Sequence, residues 1–446
     1  MKGLVSVLVL LSLFCIGGLA SAEEQIQPTP STPVMAEQKP KIDTGDTAWM
    51  IVATALVMLM TLPGLALFYG GLAKRKDTLN TMTMSFIAYS VTSILWIIYG
   101  YSFSFGPDIG GVIGAPVRAF LKDVTANSIA DAAKTIPEYI FIVYQLTFAA
   151  ITVALVSGAY IERLRFSAWL LFSILWVSLV YLPVCHWVWG GGFIGSLGAL
   201  DFAGGTVVHI NAGIAALIGA LMIGKRKDTT LIPHNLTMVL TGTGLLWFGW
   251  FGFNAGSALS AGGLAGVAFI NTNTATAMAA LSWLFTEWIF SKKPTLLGLC
   301  SGAVAGLVAI TPAAGFVNIT GALAIGLLAG IIPFFAVTKL KPLFGYDDTL
   351  DVFGIHGVAG MLGALLTGLL ADPAVNEIGR GLLYGNPAQL YKQIIGIMVT
   401  IAYSGAMTFI ILFAIKILTG LRPHVNDEII GLDESQHSEK AYNLHI

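Results

Sequence analysis

Long uncharged apolar runs recur along most of this chain and limit what it can fold into. A helix must contribute about 20 apolar residues to cross the roughly 30 Å hydrocarbon core of a bilayer. Runs of that size begin near Ala48, Thr78, Tyr139, Phe166, Phe202, Asn235, Leu264, Pro294, Phe316, Val352 and Gln393. Two longer stretches divide where Pro and Gly punctuate them, at SALSAGGLAG (257–266) and TPAAG (311–315). Hydrocarbon offers the backbone no hydrogen-bond partner, so each run is expected as a helix. The expected fold class is an all-α integral membrane protein with eleven transmembrane helices. Composition agrees, with 56% hydrophobic residues, 11% charged and a mean hydropathy of +0.81, against about 25% charged in soluble domains. Cys15, Cys185 and Cys300 have neither metal-ligand nor disulfide-framework spacing. No catalytic triad, phosphate loop or nucleic-acid surface is encoded, so neither an enzyme nor a cofactor protein is expected.

The first residues read as a secretory signal: Lys2, an apolar core from Leu4 to Leu19, then Ala20-Ser21-Ala22 as a cleavage pattern. The expected organisation is a signal peptide at 1–22, a flexible Pro-rich extracytoplasmic segment at 23–45, a helical domain at 46–420 and a tail at 421–446. Basic residues fix the orientation. KRKD (74–77), ERLR (162–165), KRKD (225–228), Lys292-Lys293, KLK (339–341) and Arg422 all fall on one face of an eleven-span chain. That face is expected to be cytoplasmic, in a cell inner membrane. The N-terminus is then outside and the tail inside, in agreement with a cleaved signal.

The spans carry a repeat. FYGG (68–71) lies in the first and FNAG (253–256) in the sixth. Asp201, His209 and Gly213 lie in or just before the fifth span; Asp348, His356 and Gly360 are placed alike at the tenth, and both sets read D-x7-H-x3-G. An offset of five spans reverses direction across the membrane, so the halves form a five-plus-five inverted repeat. A lone histidine in an apolar helix is ordinarily a satisfied core group. Two repeat-related ones near the midplane point to a substrate or proton path, because intramembrane ionisable groups are costly. A facing pair of neutral imidazoles shares one hydrogen bond and leaves a donor and an acceptor for a small guest. Asp201 just precedes the fifth helix. It can cap that helix or set a negative field for an arriving cation, and both readings are retained. Glu287 is expected to pair with Lys292 or Lys293, Asp347, Asp348 and Asp351 to cap the tenth helix, and the other tryptophans to anchor at the interface.

GALDFAGGTVVHINAG (198–213), WFGWFGFNAGS (247–257), GLALFYGGL (64–72), DVFGIHGVAG (351–360) and the ending GLDESQHSEKAYN (431–443) together resemble the bacterial ammonium transporter family, within the wider superfamily of methylammonium permeases and Rhesus proteins. The likeness runs through the whole mature chain. It implies a homotrimer with one hydrophobic pore per subunit, ammonium as substrate with methylammonium as analogue, and a cytoplasmic P-II type regulator blocking the inner face. By position, Phe148, Trp189 and Ser257 match the external ammonium site. Phe148 and Phe253 match the stacked rings closing the pore, His209 and His356 the pore histidines, and Asp201 the carboxylate beside the recruitment site. Tyr144 stands where common bacterial members have a second outer phenylalanine, so its ring's part in recruitment is open.

The chemistry suits these residues. Aromatic faces attract a cation by roughly 0.5–2 kcal/mol, but potassium as well as ammonium; only ammonium can shed a proton and cross a dry pore as a neutral molecule. One rival is a Rhesus-type gas channel passing neutral ammonia or carbon dioxide, against which Trp189 and Ser257 argue. An ammonium sensor is another, for which the tail after Gly420 is expected to be too short. A sodium-coupled transporter lacks a broken-helix cluster. The acidic tail residues Asp427, Glu428, Asp433, Glu434 and Glu439 are expected to dock on the basic loops.

Overall fold

A computed structural model describes residues 41–230 and 232–442; the expected signal peptide lies outside them. Among the described residues, ten helices are long and apolar enough to cross a membrane: α1 (Thr44–Leu72), α2 (Arg75–Phe105), α3 (Glu138–Ser157), α4 (Phe166–Leu197), α5 (Gly205–Ile223), α6 (Leu236–Gly256), α7 (Gly263–Ser291), α9 (Ile319–Phe344), α10 (Phe353–Leu370) and α11 (Pro387–Leu418). Between α7 and α9 lies a shorter apolar helix, α8 (Leu296–Ile310), which stops just before Pro312 in the TPAAG punctuation. A two-residue hairpin, β1 (Asp108–Ile109) and β2 (Ile113–Gly114), interrupts the helical pattern after α2. Helix α1 opens at Thr44, capped by Asp43, inside the segment expected to be flexible.

Several helices are locally unwound into wide π-type turns. Pro63 sits in one at Met60–Leu65 of α1. Two others open α5 at Gly205–Ile210 and α10 at Phe353–Val358, and each holds a histidine, His209 and His356. Such turns redirect side chains and release backbone groups, and they concentrate at functional positions. Glycine sets the helix spacing: a Cβ on Gly213 of α5 would lie 2.3 Å from the Cα of Gly357 in α10, so the two backbones cross in direct contact.

The basic loops meet at one end of the bundle. Arg226 is 6% exposed and donates to both oxygens of Asp347 and to Glu162 at 2.9–3.0 Å. Arg163, wholly buried, donates to Gly224 O at 2.7 Å, Thr349 Oγ1 at 2.7 Å and the Asp347 carbonyl. These bonds tie the α3–α4, α5–α6 and α9–α10 connections together. Of the three aspartates expected to cap α10, only Asp348 does so, accepting from Val352 and Phe353 N–H. Asp347 is occupied by Arg226, and Asp351 by Lys341 at 2.6 Å. Glu287 pairs with neither Lys292 nor Lys293. It accepts from the amide and hydroxyl of Thr295 at 3.0 Å, beside the start of α8, because those donors need no flexible side chain to be held in place. The tryptophans also differ from expectation: Trp96, Trp169, Trp176 and Trp250 are fully buried, their indole N–H groups donating to Ile142 O, Met84 O, Thr408 Oγ1 and Thr311 Oγ1.

The tail carries two short helices, α12 (Val425–Ile430) and α13 (Leu432–His437). Its acidic groups dock mainly on backbone, not on lysine and arginine side chains of the loops. Asp433 accepts from Leu79 and Asn80 N–H at 3.0 and 2.7 Å. Glu428 takes the Lys227 amide and pairs with Arg422 within the tail. Lys76 Nζ reaches the carbonyls of Glu428 and Ile429.

Burial raises the Asp347 carboxyl, but the Arg226 and Arg163 guanidinium groups more than offset this and hold it below the ordinary carboxylate range. Its stabilising contribution is therefore complete above the unfolded value of about 3.9 and is lost only as pH falls through the lower folded value. Arg226→Met removes the guanidinium shared by two buried carboxylates, leaving Asp347 only the amide of residue 226 and Glu162 only Lys74, and should cost about 3–5 kcal/mol near neutrality. The deficit should shrink as pH approaches 4 and Asp347, deprived of its guanidinium partner, takes up a proton. Thermal unfolding of the detergent-solubilised protein across pH checks this, and a deficit independent of pH contradicts it.

Candidate functional site

The end of the bundle opposite the basic loops holds a cavity of about 270 Å³, lined among others by Phe148, Trp189, Ser257, Phe141, Gln145 and Phe202. Phe148 meets Trp189 edge-on with ring centroids 5.8 Å apart. Below the cavity Phe148 stacks on Phe253 at 4.1 Å and 19°, and both rings are buried. Phe253 lies 6.1 Å from the His209 ring, which lies 5.3 Å from that of His356. Sequence positions 189, 257, 148, 253, 209 and 356 are thus brought into one continuous line from cavity to bundle interior.

Chain chemistry places each of them. Trp189 ends the long helical stretch of α4, just before its break at 190–192, and its indole donates to Asp201 O at 2.9 Å. Ser257 follows the last residue of α6 and donates back to Phe253 O at 2.9 Å, so its lone pairs are free to accept. Tyr144, wholly buried, is absent from the cavity wall; its hydroxyl lies 3.0, 2.9 and 3.2 Å from Gly252 O, Phe253 O and Ser257 Oγ. It backs the Ser257 turn and does not offer its face to the cavity.

The two D-x7-H-x3-G stretches perform the same three tasks. Asp201 accepts from the N–H groups of Gly204 and Gly205 at Oδ1 and from those of Thr206 and Val207 at Oδ2, at 2.7–3.2 Å; Asp348 accepts from Val352 and Phe353 N–H at the start of α10. The histidines follow in the π-type turns. The closing glycines admit the partner: Gly213 meets the Gly357 backbone, and a Cβ on Gly360 would lie 3.1 Å from His209 Cβ. The outcome is an Nδ1–Nδ1 contact of 3.2 Å between His209 and His356, which are 1% and 4% exposed. Such a contact holds one proton, so one ring presents Nε2 as a donor and the other as an acceptor. His209 Nε2 is buried and makes no hydrogen bond among the described residues. An orphaned buried nitrogen of this kind asks for a partner that the protein does not supply.

Sequence reasoning missed Trp250, read only as an interface anchor. It stacks on His209 at 5.4 Å and 22°, with Nε1 anchored on Thr311 Oγ1 at 2.9 Å. Its i,i+3 spacing to Phe253 was the available signal, since it puts both rings on one helix face. No group of three or more His, Cys, Asp or Glu side chains able to hold a metal occurs among the described residues.

Known proteins resemble this chain along most of its length. Residues 48–442 match the model of the Ammonium Transporter Family. An ammonium transporter of Aquifex aeolicus (strain VF5) is 58% identical over 404 residues, covering 91% of this chain and 95% of that protein. The crystal structure of Candida albicans Mep2 superposes with a TM-score of 0.81 at 38% identity, covering 86% of this chain and 88% of that one. A structure described as a sensor Amt protein gives 0.81 at 29% identity, covering 88% of this chain and 98% of its own.

The Asp201 geometry yields a test. Asparagine keeps one oxygen but turns an NH₂ toward two N–H groups, so Asp201→Asn should approach Asp201→Ala in its effect, each costing about 1–3 kcal/mol. Thermal unfolding of both variants in detergent decides it; an Asn variant as stable as the parent would contradict the four-bond cap.

Proposed function

The chain belongs to the ammonium transporter family, and we propose that it takes up ammonium by recruiting the cation at Trp189, Phe148 and Ser257 and splitting it into a proton and an ammonia molecule that both cross to the inside, the ammonia along His209 and His356. The observation that carries this reading is the orphaned Nε2 of His209, in a shared-proton imidazole pair sealed behind the Phe148–Phe253 stack.

Each part has a physical task. The indole and phenyl faces draw a cation out of water, and Ser257 Oγ, having donated to Phe253 O, accepts an ammonium N–H. Asp201 faces its helix with both oxygens, so its influence on the cation is through its field. The stacked rings offer an ion no hydrogen bond and penalise charge heavily. Ammonia, once neutral, needs only a donor and an acceptor, which the two Nε2 atoms provide. Potassium has no proton to lose and stays outside. A Rhesus-type neutral gas channel is the second reading; the Trp189–Ser257 cation site favours charge entry over it. An ammonium sensor is the third, kept open by the likeness to the sensor Amt protein.

The surrounding organisation belongs to the same proposal. Counting α8, the chain crosses an inner membrane eleven times as a five-plus-five inverted repeat, with the Trp189 end outside and the basic end in the cytoplasm. Residues 1–22 act as a cleaved signal, 46–420 form the transporter, and three copies assemble as a homotrimer. The tail at 421–446, docked through its described residues 421–442, presents a face to a P-II type regulator. Support comes from the charge distribution, from the like construction of the two Asp–His–Gly units and from family membership.

Electrical recording from protein in liposomes tests the core of this reading: an ammonium gradient should move charge and a potassium gradient none, and electrical silence to ammonium favours the gas channel. His356→Glu places a fixed charge in the pore and should admit potassium; a folded, conducting variant that still rejects potassium removes the pair from selectivity. Trp189→Ala should raise the half-saturating ammonium concentration by up to roughly tenfold, with saturating current less affected. An unchanged concentration dependence takes Trp189 out of binding.

A further inference from the structure

Gln393 of α11 is 3% exposed and lies 193 residues from the main-chain group it holds. Its Oε1 accepts the Leu200 N–H at 2.6 Å, and its Nε2 donates to Leu200 O at 2.8 Å, pairing with both main-chain groups of one residue as a neighbouring strand would. The same Nε2 donates to Ala364 O of α10 at 3.1 Å. One turn earlier, Gln389 Nε2 donates to Gly198 O at 2.9 Å and to Gln393 Oε1 at 3.3 Å. The amide orientation is set by its partners, since the single N–H can meet only the oxygen and the two carbonyls only the nitrogen.

The held segment is the one that builds the cavity end of the site. Leu200 precedes Asp201, whose carbonyl takes the Trp189 indole and whose carboxylate caps the helix bearing His209. Residues 198–204 have no regular backbone ladder of their own; Phe202 N–H to Pro312 O at 3.2 Å is the complementary tie from the far side. An amide at 393 therefore fixes the height and tilt of the 201 carbonyl, and through it the plane of the indole. The third bond extends the tie to the helix carrying His356.

We propose that Gln393 is a positioning residue for the cation site, setting the pose of Trp189 through the Leu200–Asp201 backbone. This rests on the reading of Trp189 as a recruitment surface. Satisfying buried backbone groups is a sufficient structural reason for a glutamine here, but that role alone predicts altered stability and an unaltered concentration dependence.

Ammonium-evoked currents of the full chain in liposomes separate the two. Gln393→Met, similar in volume and unable to pair, should raise half-saturating ammonium on the order of fivefold, the factor expected when about one neutral hydrogen bond of positioning is lost. Saturating current and potassium exclusion should stay within about twofold, and amide hydrogen exchange across 198–204 should quicken. Trp189→Phe, which keeps an aromatic face but loses the N–H, should raise half-saturation too, and adding Gln393→Met to it should raise it no further. Unchanged half-saturation in either single variant, or additive effects in the double, overturns the proposal. A parent protein electrically silent to ammonium overturns the recruitment reading itself, whereas an active parent with an indifferent Gln393→Met overturns this inference alone.

Discussion

The contact between the Nδ1 atoms of His209 and His356 is the interaction on which the interior of this bundle turns. Two imidazoles can approach to 3.2 Å only if their helices nearly touch, and helices nearly touch only where side chains are missing. Gly213 against Gly357, and Gly360 against His209, provide that closeness. The π-type turns then rotate each histidine toward the seam. Remove the glycines and the rings separate; remove the turns and they point elsewhere. Histidine chemistry at this depth is a property of backbone shape first and of residue type second.

Around Trp189 and Asp201, rigidity comes from polar groups that meet backbone. Asp201 binds four N–H groups, Trp189 binds the carbonyl of the same residue, and the 198–204 segment hangs between α11 and Pro312. The basic end is built on the contrary plan, with guanidinium–carboxylate contacts buried between three connections and overlaid by the tail. The Trp189 corner is therefore held by side chains that grip main chain, whereas the basic end depends on paired charge.

What the sequence made legible follows from range. Hydropathy located the ten long apolar helices and the shorter α8, though not the tail helices α12 and α13, because burial in lipid acts on each residue by itself. The repeated Asp–His–Gly spacing located both histidines and both caps, since a cap and a turn are local events. Local reasoning failed where partners are distant. Glu287 was matched to the adjacent lysines, yet Thr295 holds it; Asp347 is claimed by Arg226, 121 residues away, a pairing no spacing rule reveals. Trp250 looked like a membrane anchor because tryptophan in a membrane protein usually is one, and only the packing shows it beside His209. The length of α8 and the π-type turns were also hidden, as hydropathy records that a helix exists and not how its hydrogen bonds are registered.

The Tyr144 hydroxyl carries one proton and faces three acceptors, at Gly252, Phe253 and Ser257. Turned toward either carbonyl, it leaves the Ser257 oxygen with lone pairs for whatever enters the cavity. Turned toward Ser257, it occupies one of them. A phenylalanine at that position has no such rotor. The hydrogen-bond basicity of the entrance is thus governed from one layer behind the wall, by a torsion about a single C–O bond that no visitor ever touches.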